Sequence, residues 1–355
     1  MKIIHFIIGS FGGAELFLLK LAPALVKRGV EQHIVHNDHA RLRNGVEATG
    51  IPSTEIRYPK RLRVLTKYWR DPRSQAALAR VIAAQKPDAI LCWMKRAAHR
   101  VIEGDHVCVG RLGNYMAPKY FRRCDHLIAN TPDIGIYLER NGWPRERLSI
   151  ISNFDEADPA PPVDRASIGV RDDQFMILSL GRLVERKGYQ DVVKALAILP
   201  KNVVYCIAGD GRYEDELRRL ARELGVVDRV RFLGWREDAG ALLRACDVCA
   251  TPSHHEPLGN VILEAWSHAV PVVSAAAEGA SWLIEDGETG FLTPIGDSNA
   301  IASRLRRLYE DRGLARALGD GGARRRRDSF SEDAICRQYI ELFERLIAQN
   351  RERAA

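Results

Sequence analysis

Two doubly wound α/β domains, each a parallel sheet with helices on its faces, are what this sequence predicts, on three observations. Apolar runs of strand length alternate with amphipathic runs of helix length along the chain, the pattern of successive β-α-β units. At 355 residues the chain exceeds what one core usually supports, so two domains of roughly 170 to 180 residues are expected. Between the halves, Asp158-Pro-Ala-Pro-Pro162 can sustain neither a helix nor a central strand, which makes residues 153–171 the linker.

The elements follow in order. The first half reads as strands near 2–8, 31–36, 88–92, 106–110, 125–129 and 148–151, with helices such as 14–27 and 75–84 between them. The second half restarts the rhythm with strands near 175–180, 203–208, 229–233, 247–250 and 271–274 and helices near 188–198, 213–224, 238–245 and 258–268. Helices near 297–310, 312–325 and 331–349 close the chain. Domains over 1–160 and 161–330 are therefore expected, the last helix packing back on the first domain.

Composition narrows the class. With 46% hydrophobic and 28% charged residues, the chain is an ordinary globular protein and not a disordered one. The apolar stretch between Lys2 and Gly9 is too short for a secretory signal, and no apolar run reaches membrane-spanning length, so a cytoplasmic protein is expected. Seven cysteines, scattered in apolar segments, predict buried thiols and no disulfide framework. Cys246 and Cys249 have no second ligand pair flanking them, so no metal site is expected.

The net charge of +7 is lopsided: residues 1–165 hold 26 Lys and Arg against 17 Asp and Glu, the remainder 27 against 29. Within the basic half, Arg57, Lys60, Arg61, Arg63, Lys67, Arg70 and Arg73 face a single acid, Asp71, with Leu62, Val64, Leu65, Tyr68 and Trp69 interleaved. That mix suits an anionic membrane surface or a phosphorylated acceptor, and equally a solvated loop. The run from Arg324 to Arg327 sits at a helix end, where positive charge offsets the helix dipole; no nucleic-acid partner is expected.

Three segments can carry chemistry. Glu256-Pro-Leu-Gly-Asn-Val-Ile-Leu-Glu264 follows a strand and opens a helix. The free backbone N–H groups around Leu258, Gly259 and Asn260 suit phosphate or sugar oxygens. Glu264, inside the helix, can accept two hydrogen bonds from a vicinal diol such as a ribose, and Glu256 can meet hydroxyls of a sugar; Glu256 as a capping acid and Glu264 as a surface acid is the alternative. Ser179-Leu-Gly-Arg-Leu-Val-Glu-Arg-Lys-Gly188 leaves the second domain's first strand, where doubly wound sheets bind ligands. There Arg182 and Lys187 can neutralise a departing diphosphate. No Asp-x-Asp occurs in the sequence, so the usual carboxylate handle for a magnesium-bound diphosphate is missing and no cofactor is expected. The third segment, Ile8-Gly-Ser-Phe-Gly-Gly-Ala-Glu15, lets Gly12 and Gly13 approach a ligand closely. Gly209-Asp-Gly211 reads as a structural turn.

Taken together, GRLVERKG, IAGDGRYEDEL, VRFLGWRED, CDVCATPSHHEPLGNVILEAWSHAVPVVS and EDGETGFLTP resemble, in order and spacing, the retaining glycosyltransferases of the GT-B fold called glycosyltransferase family 4. The resemblance covers nearly the whole chain. It implies two Rossmann-like domains facing across a cleft, metal-independent transfer from a nucleotide-diphosphate sugar, and a departing diphosphate that itself takes the acceptor's proton. It maps the paired glutamates contacting donor sugar and ribose onto Glu256 and Glu264, and the basic pair on the diphosphate onto Arg182 and Lys187. It further implies that the base lies near Gly234 to Arg236, that Gly12 and Gly13 approach the donor, and that Glu15 lines the acceptor side. The chain departs from the family where many relatives place a histidine in the first domain: the segment reads Val109-Gly-Arg-Leu-Gly-Asn-Tyr115. Arg111, Asn114 or Tyr115 are candidates there, with His99 and His106 nearby. Residues 110–138 resemble bacterial enzymes of lipopolysaccharide and surface-polysaccharide assembly, which implies a saccharide or lipid-linked acceptor and an enzyme peripheral to the cytoplasmic membrane. An epimerase of the same fold and a catalytically silent binder of sugar nucleotides are the competing readings.

Overall fold

The structure, a computed structural model, describes residues 1–9, 12–58 and 71–354. The chain divides into two units, Met1–Asn153 with Glu332–Ala355, and Phe154–Ser331. The first is built on strands β1 (Lys2–Ile7), β2 (Glu31–Asn37), β3 (Ser53–Ile56), β4 (Ala89–Trp93), β5 (Val107–Leu112), β6 (His126–Ala129) and β7 (Leu148–Ile150). They form one sheet in the order β3-β2-β1-β4-β5-β6-β7, parallel at every pairing. Strands such as β4 and β5 are buried along their whole length, as expected for a sheet covered by helices on both faces. Inside this core, His5 sits between Gln32 Oε1 on Nε2 and the Trp93 indole N–H, which reaches Nδ1 at 3.2 Å. Burial pulls its pKa down to about 4, so the imidazole is neutral in the fold.

The helix Glu332–Ala354 completes this first unit. Its buried Cys336, Tyr339 and Phe343 supply the apolar face, and Glu332 and Asp333 at its start pair with Arg28.

The second unit carries β8 (Phe175–Leu180), β9 (Val203–Ala208), β10 (Val230–Gly234), β11 (Val248–Thr251), β12 (Val272–Ala275) and β13 (Phe291–Thr293). The order β10-β9-β8-β11-β12-β13 is that of a nucleotide-binding doubly wound sheet. Two apolar clusters, one on each face, fill the unit. The helix Arg312–Ser329 presses on the helix Asn260–Ser267 so closely that Gly322 lies flat against the Trp266 indole.

Two expectations need correction. The edge strands β3 and β13 were not expected; they are short, and β3 reads Ser-Thr-Glu-Ile, with neither a long apolar run nor clean alternation. The division falls at Asn153 and Phe154, ahead of residue 160. The linker is drawn into the second unit because Arg326 bonds the Asp155 carbonyl at 2.6 Å, Arg244 that of Asp158 at 2.5 Å, and Val163 N–H that of Ala241 at 3.1 Å. The arginine run, ending its helix as expected, is also tied inward: Arg325 reaches Glu285 and the Trp282 carbonyl, and Arg326 reaches Glu156.

Candidate active site

In the second sheet β8 and β11 are neighbours, and from them the chain winds away in opposite directions. Loops leaving such a pair open a crevice at the carboxyl edge. The two loops here are residues 181–188 and 252–259, and they are stitched to each other. The His254 N–H donates to the Arg186 carbonyl at 2.9 Å, the Arg186 guanidinium to the His255 carbonyl at 3.2 Å, and the Lys187 ammonium pairs with the Glu256 carboxylate. Gly188, at φ 71°, lies so close that a Cβ would run into the Pro252 carbonyl; only glycine combines that backbone conformation with that approach. Lys187 and Glu256 are 17% and 24% exposed, so their attraction is less screened than that of a surface pair. Beneath them the Tyr189 hydroxyl donates to the Leu180 carbonyl at 3.2 Å, and burial, reinforced by the Glu256 charge, pushes this phenol up, keeping it a donor.

The second loop is held from its other side by Glu278. Its carboxylate accepts the Glu256 N–H at 3.1 Å and faces His255 Nδ1 at 2.6 Å, while Gly279 N–H donates to the Glu256 carbonyl at 2.9 Å. Burial acts to raise the Glu278 carboxyl, but its hydrogen bonds to backbone N–H groups and to His255 outweigh this and hold it below its ordinary value. His254 is fixed by Asp191 at 2.6 Å, a carboxylate nearly all buried at the start of the helix Tyr189–Ala197. His254, His255, Glu278 and Asp191 were not singled out in the sequence. The doublet before Glu256 was the only available signal, because the acids that fix it lie 23 and 63 residues away.

Gly259, at φ 85°, turns the chain into the helix Asn260–Ser267. Asn260 is its first residue, Glu264 lies four further on the same face, and Leu258 is buried behind them. The Glu264 carboxylate is near enough to β11 to add to the burial that drives the Cys249 thiol up. Arg182 is exposed and has no ion-pair partner among the described residues. Arg236, which the resemblance puts near the base, forks onto Asp238 through Nε at 2.8 Å and Nη2 at 2.6 Å. Gly209 and Gly211 press against the backbones of Gly181 and Leu183, and Gly209 N–H bonds the Gly234 carbonyl at 2.7 Å, a structural turn as expected, and one that props up the Arg182 loop.

In the first unit the corresponding edge lies between β1 and β4. Gly12 precedes, and Gly13 opens, the helix Gly13–Val26, and Glu15 folds its carboxyl back over Gly9. Glu15 is 6% exposed; burial pushes its pKa up, against the pull of the Gly12 N–H and its own. Arg111 ends inside the domain and not on an open face. Its Nε donates to the Tyr339 hydroxyl at 2.8 Å, Nη2 bonds Asn153 Oδ1, and the guanidinium lies over the rings of Phe17 and Trp93. Asn114 is exposed and caps the Tyr115 N–H at 2.8 Å; the Tyr115 hydroxyl is engaged by Asp133. His106 precedes β5 and bonds the Ile102 carbonyl at 2.9 Å, which puts it at the amino edge of the sheet, away from any carboxyl-edge chemistry. His99 lies in the helix Met94–Arg100. Of the stretch from Arg57 to Arg73, residues 59–70 lie outside the described residues. Among the described residues no helix is long and apolar enough to cross a membrane, and no three His, Cys, Asp or Glu are grouped to hold a metal.

Two doubly wound parallel sheets, one with a cation-bearing crevice at its switch point, define a ligand-binding α/β class, and the comparisons with known proteins give the family. Residues 162–325 match glycosyl transferases group 1 and residues 11–154 match Glycosyltransferase Family 4. The chain is 38% identical over 345 residues to the lipopolysaccharide core biosynthesis glycosyltransferase LpsE of Rhizobium meliloti, covering 96% of this chain and 98% of that one. To LpsD of the same organism, described in the same words, it is 35% identical over 352 residues, 98% of this chain and all of that one. Among solved structures, Anabaena HepE in complex with UDP-glucose superposes with a TM-score of 0.82 at 25% identity, covering 97% and 99% of the two chains. The chain belongs to glycosyltransferase family 4, has the GT-B fold, and is a glycosyltransferase.

Proposed function

We propose that this enzyme transfers a sugar from a nucleoside-diphosphate sugar to a saccharide acceptor of the lipopolysaccharide core, with retention at the anomeric carbon and without a metal ion. The single observation that carries the reading is the Lys187–Glu256 pair at the β8/β11 edge, with Arg182 unneutralised beside it. Lys187 and Arg182 take up the negative charge that the diphosphate gains as its bond to the sugar lengthens. The amino end of the helix Asn260–Ser267 receives phosphate or sugar oxygens. Glu256, oriented by Lys187 and by the Glu278 bridge, accepts hydrogen bonds from the donor sugar's hydroxyls, and Glu264 from the ribose. On departure a diphosphate oxygen takes the proton of the incoming acceptor hydroxyl, on the face it is leaving, which keeps the anomeric configuration. The HepE complex with UDP-glucose makes UDP-sugars the first donors to try, and LpsE and LpsD support the acceptor class.

The test is transfer from radiolabelled UDP-sugars to core oligosaccharide, with and without a chelator. The reading requires a product of retained configuration and full activity in the chelator; an inverted product, or activity restored only by magnesium, contradicts the corresponding part. The basic stretch from Arg57 to Arg73 supports a visit to the membrane face, and failure to co-sediment with anionic vesicles at low salt would exclude it.

A further inference from the structure

The carboxyl edge of the first sheet holds a polar group that the proposed reaction does not use. Arg111, at 1% exposure, has no carboxylate within ion-pair distance among the described residues. Its charge is met by two neutral oxygens and two aromatic faces, at 4.7 Å for Phe17 and 5.0 Å for Trp93, which offset only part of the several kcal/mol that burying an ion costs. Nε and Nη2 are taken, and Nη1 has no hydrogen bond among the described residues. On the neighbouring strand exit is Asn130, 4% exposed, whose side-chain oxygen is buried without a partner. Its Nδ2 and Arg111 Nη1 border the same space: a Cβ added to Gly113 would lie 3.5 Å from one and 3.9 Å from the other. Two side-chain donors, Arg111 Nη1 and Asn130 Nδ2, thus converge on one small space that holds no acceptor among the described residues, and buried donors are nearly always given an acceptor.

We infer that Arg111 and Asn130 form a subsite for an oxyanion, carboxylate or phosphate, carried by the acceptor saccharide. This rests on the glycosyltransferase reading and narrows its acceptor to an anionic sugar. A carboxylate or phosphate oxygen accepts from Arg111 Nη1 and Asn130 Nδ2 together, neutralising the guanidinium where water is scarce. Glycine at position 113 keeps that approach open.

The test is calorimetric titration of the full chain with glucose, glucuronate and glucose 6-phosphate, in the parent, Asn130→Leu and Arg111→Lys proteins, with UDP-induced thermal shift as a separate measurement. Either oxyanion should bind the parent at least ~10-fold more tightly than glucose, and whichever does so identifies carboxylate or phosphate as the source. Asn130→Leu should remove most of that preference with Tm unchanged or higher, since it replaces an unpaired buried amide, and Arg111→Lys should weaken it by losing the fork. Equal binding of all three sugars by the parent, a preference that survives Asn130→Leu, or a lower Tm in that variant would overturn the inference. UDP failing to shift the parent's Tm would instead count against the donor reading, whatever the sugars do.

Discussion

The two sheets share a topology at their switch points yet differ in how their charged side chains are paired. At the β8/β11 edge three pairs fix the two loops, Lys187 with Glu256, His254 with Asp191 and His255 with Glu278, while Arg182 has no ion-pair partner and the buried Thr251 hydroxyl no hydrogen-bond partner among the described residues. Along the first sheet's carboxyl edge, among the described residues, Arg111 has no acid as partner, and Asn130 and Ser152 each hold a polar atom without a hydrogen bond. Loops that must present charges to a leaving diphosphate gain from being fixed before it arrives, because donors already in place need no reorganisation during the reaction. An edge left unmet in the free protein is one whose complement arrives with a substrate.

The largest expected effect breaks the fixed edge at its centre. Lys187→Ala should lower kcat/KM by about 100-fold, ~2.7 kcal/mol, by removing a charge aimed at the leaving group and releasing Glu256. Arg182→Ala, which removes a charge but no internal pair, should lose at least about tenfold. Steady-state kinetics with a fixed donor decide both; unchanged turnover in the two variants would remove diphosphate stabilisation from the mechanism. Gly188→Ala tests the scaffold without touching a charged side chain. A Cβ at a left-handed position facing the Pro252 carbonyl should lower stability by about 2 kcal/mol or more, seen in denaturant melts, with activity falling because the loops part.

How far the sequence carried this contrast depends on the distance over which each feature is specified. Strands such as β4 and β8 were legible because they are continuous apolar runs bounded by turn residues, and Arg182, Lys187, Gly259 and Glu264 because they sit in one strand-to-helix segment each. What was not legible is pairwise and non-local. Nothing near His254 in the chain announces Asp191, and Arg111 read only as one of three candidates for the missing histidine's place because only the fold brings Tyr339 and Asn153 to it. The edge strands β3 and β13 were missed for a related reason, since a three- or four-residue edge strand is defined by its neighbour more than by its own residues.

Acid should separate the two units. His5 and His126 in the first unit are both held down to about 4 by burial, His126 with help from Arg345 and Arg147. A histidine that titrates near 6.5 when unfolded but near 4 when folded contributes stability in full above pH 6.5, and loses it as pH falls from 6.5 toward 4. Between pH 7 and pH 5 the first unit should therefore lose about 1 to 2 kcal/mol per histidine. In the second unit, His268 is also lowered, by burial and Arg244, but Asp155 and Asp158 oppose it. Hydrogen exchange at pH 7 and pH 5 should show β1 and β6 opening first; equal loss of protection in β8 and β9 would contradict this.

The smallest effect is expected where sequence similarity suggested a contact and the fold shows a closed pair. Arg236 is engaged through two nitrogens by Asp238, and that carboxylate, chiefly through this hydrogen bond, lies below its ordinary range. A guanidinium so occupied has little left to offer a base or ribose unless Asp238 lets go. Arg236→Ala should therefore raise the donor KM by less than about threefold, the scale of an exposed pair worth under 1 kcal/mol. The same substitution on an Asp238→Ala background separates the possibilities. If Asp238 restrains Arg236, Asp238→Ala alone should lower the donor KM and the added Arg236→Ala should cancel the gain. If the pair only caps its turn, the two changes should add without either affecting donor binding.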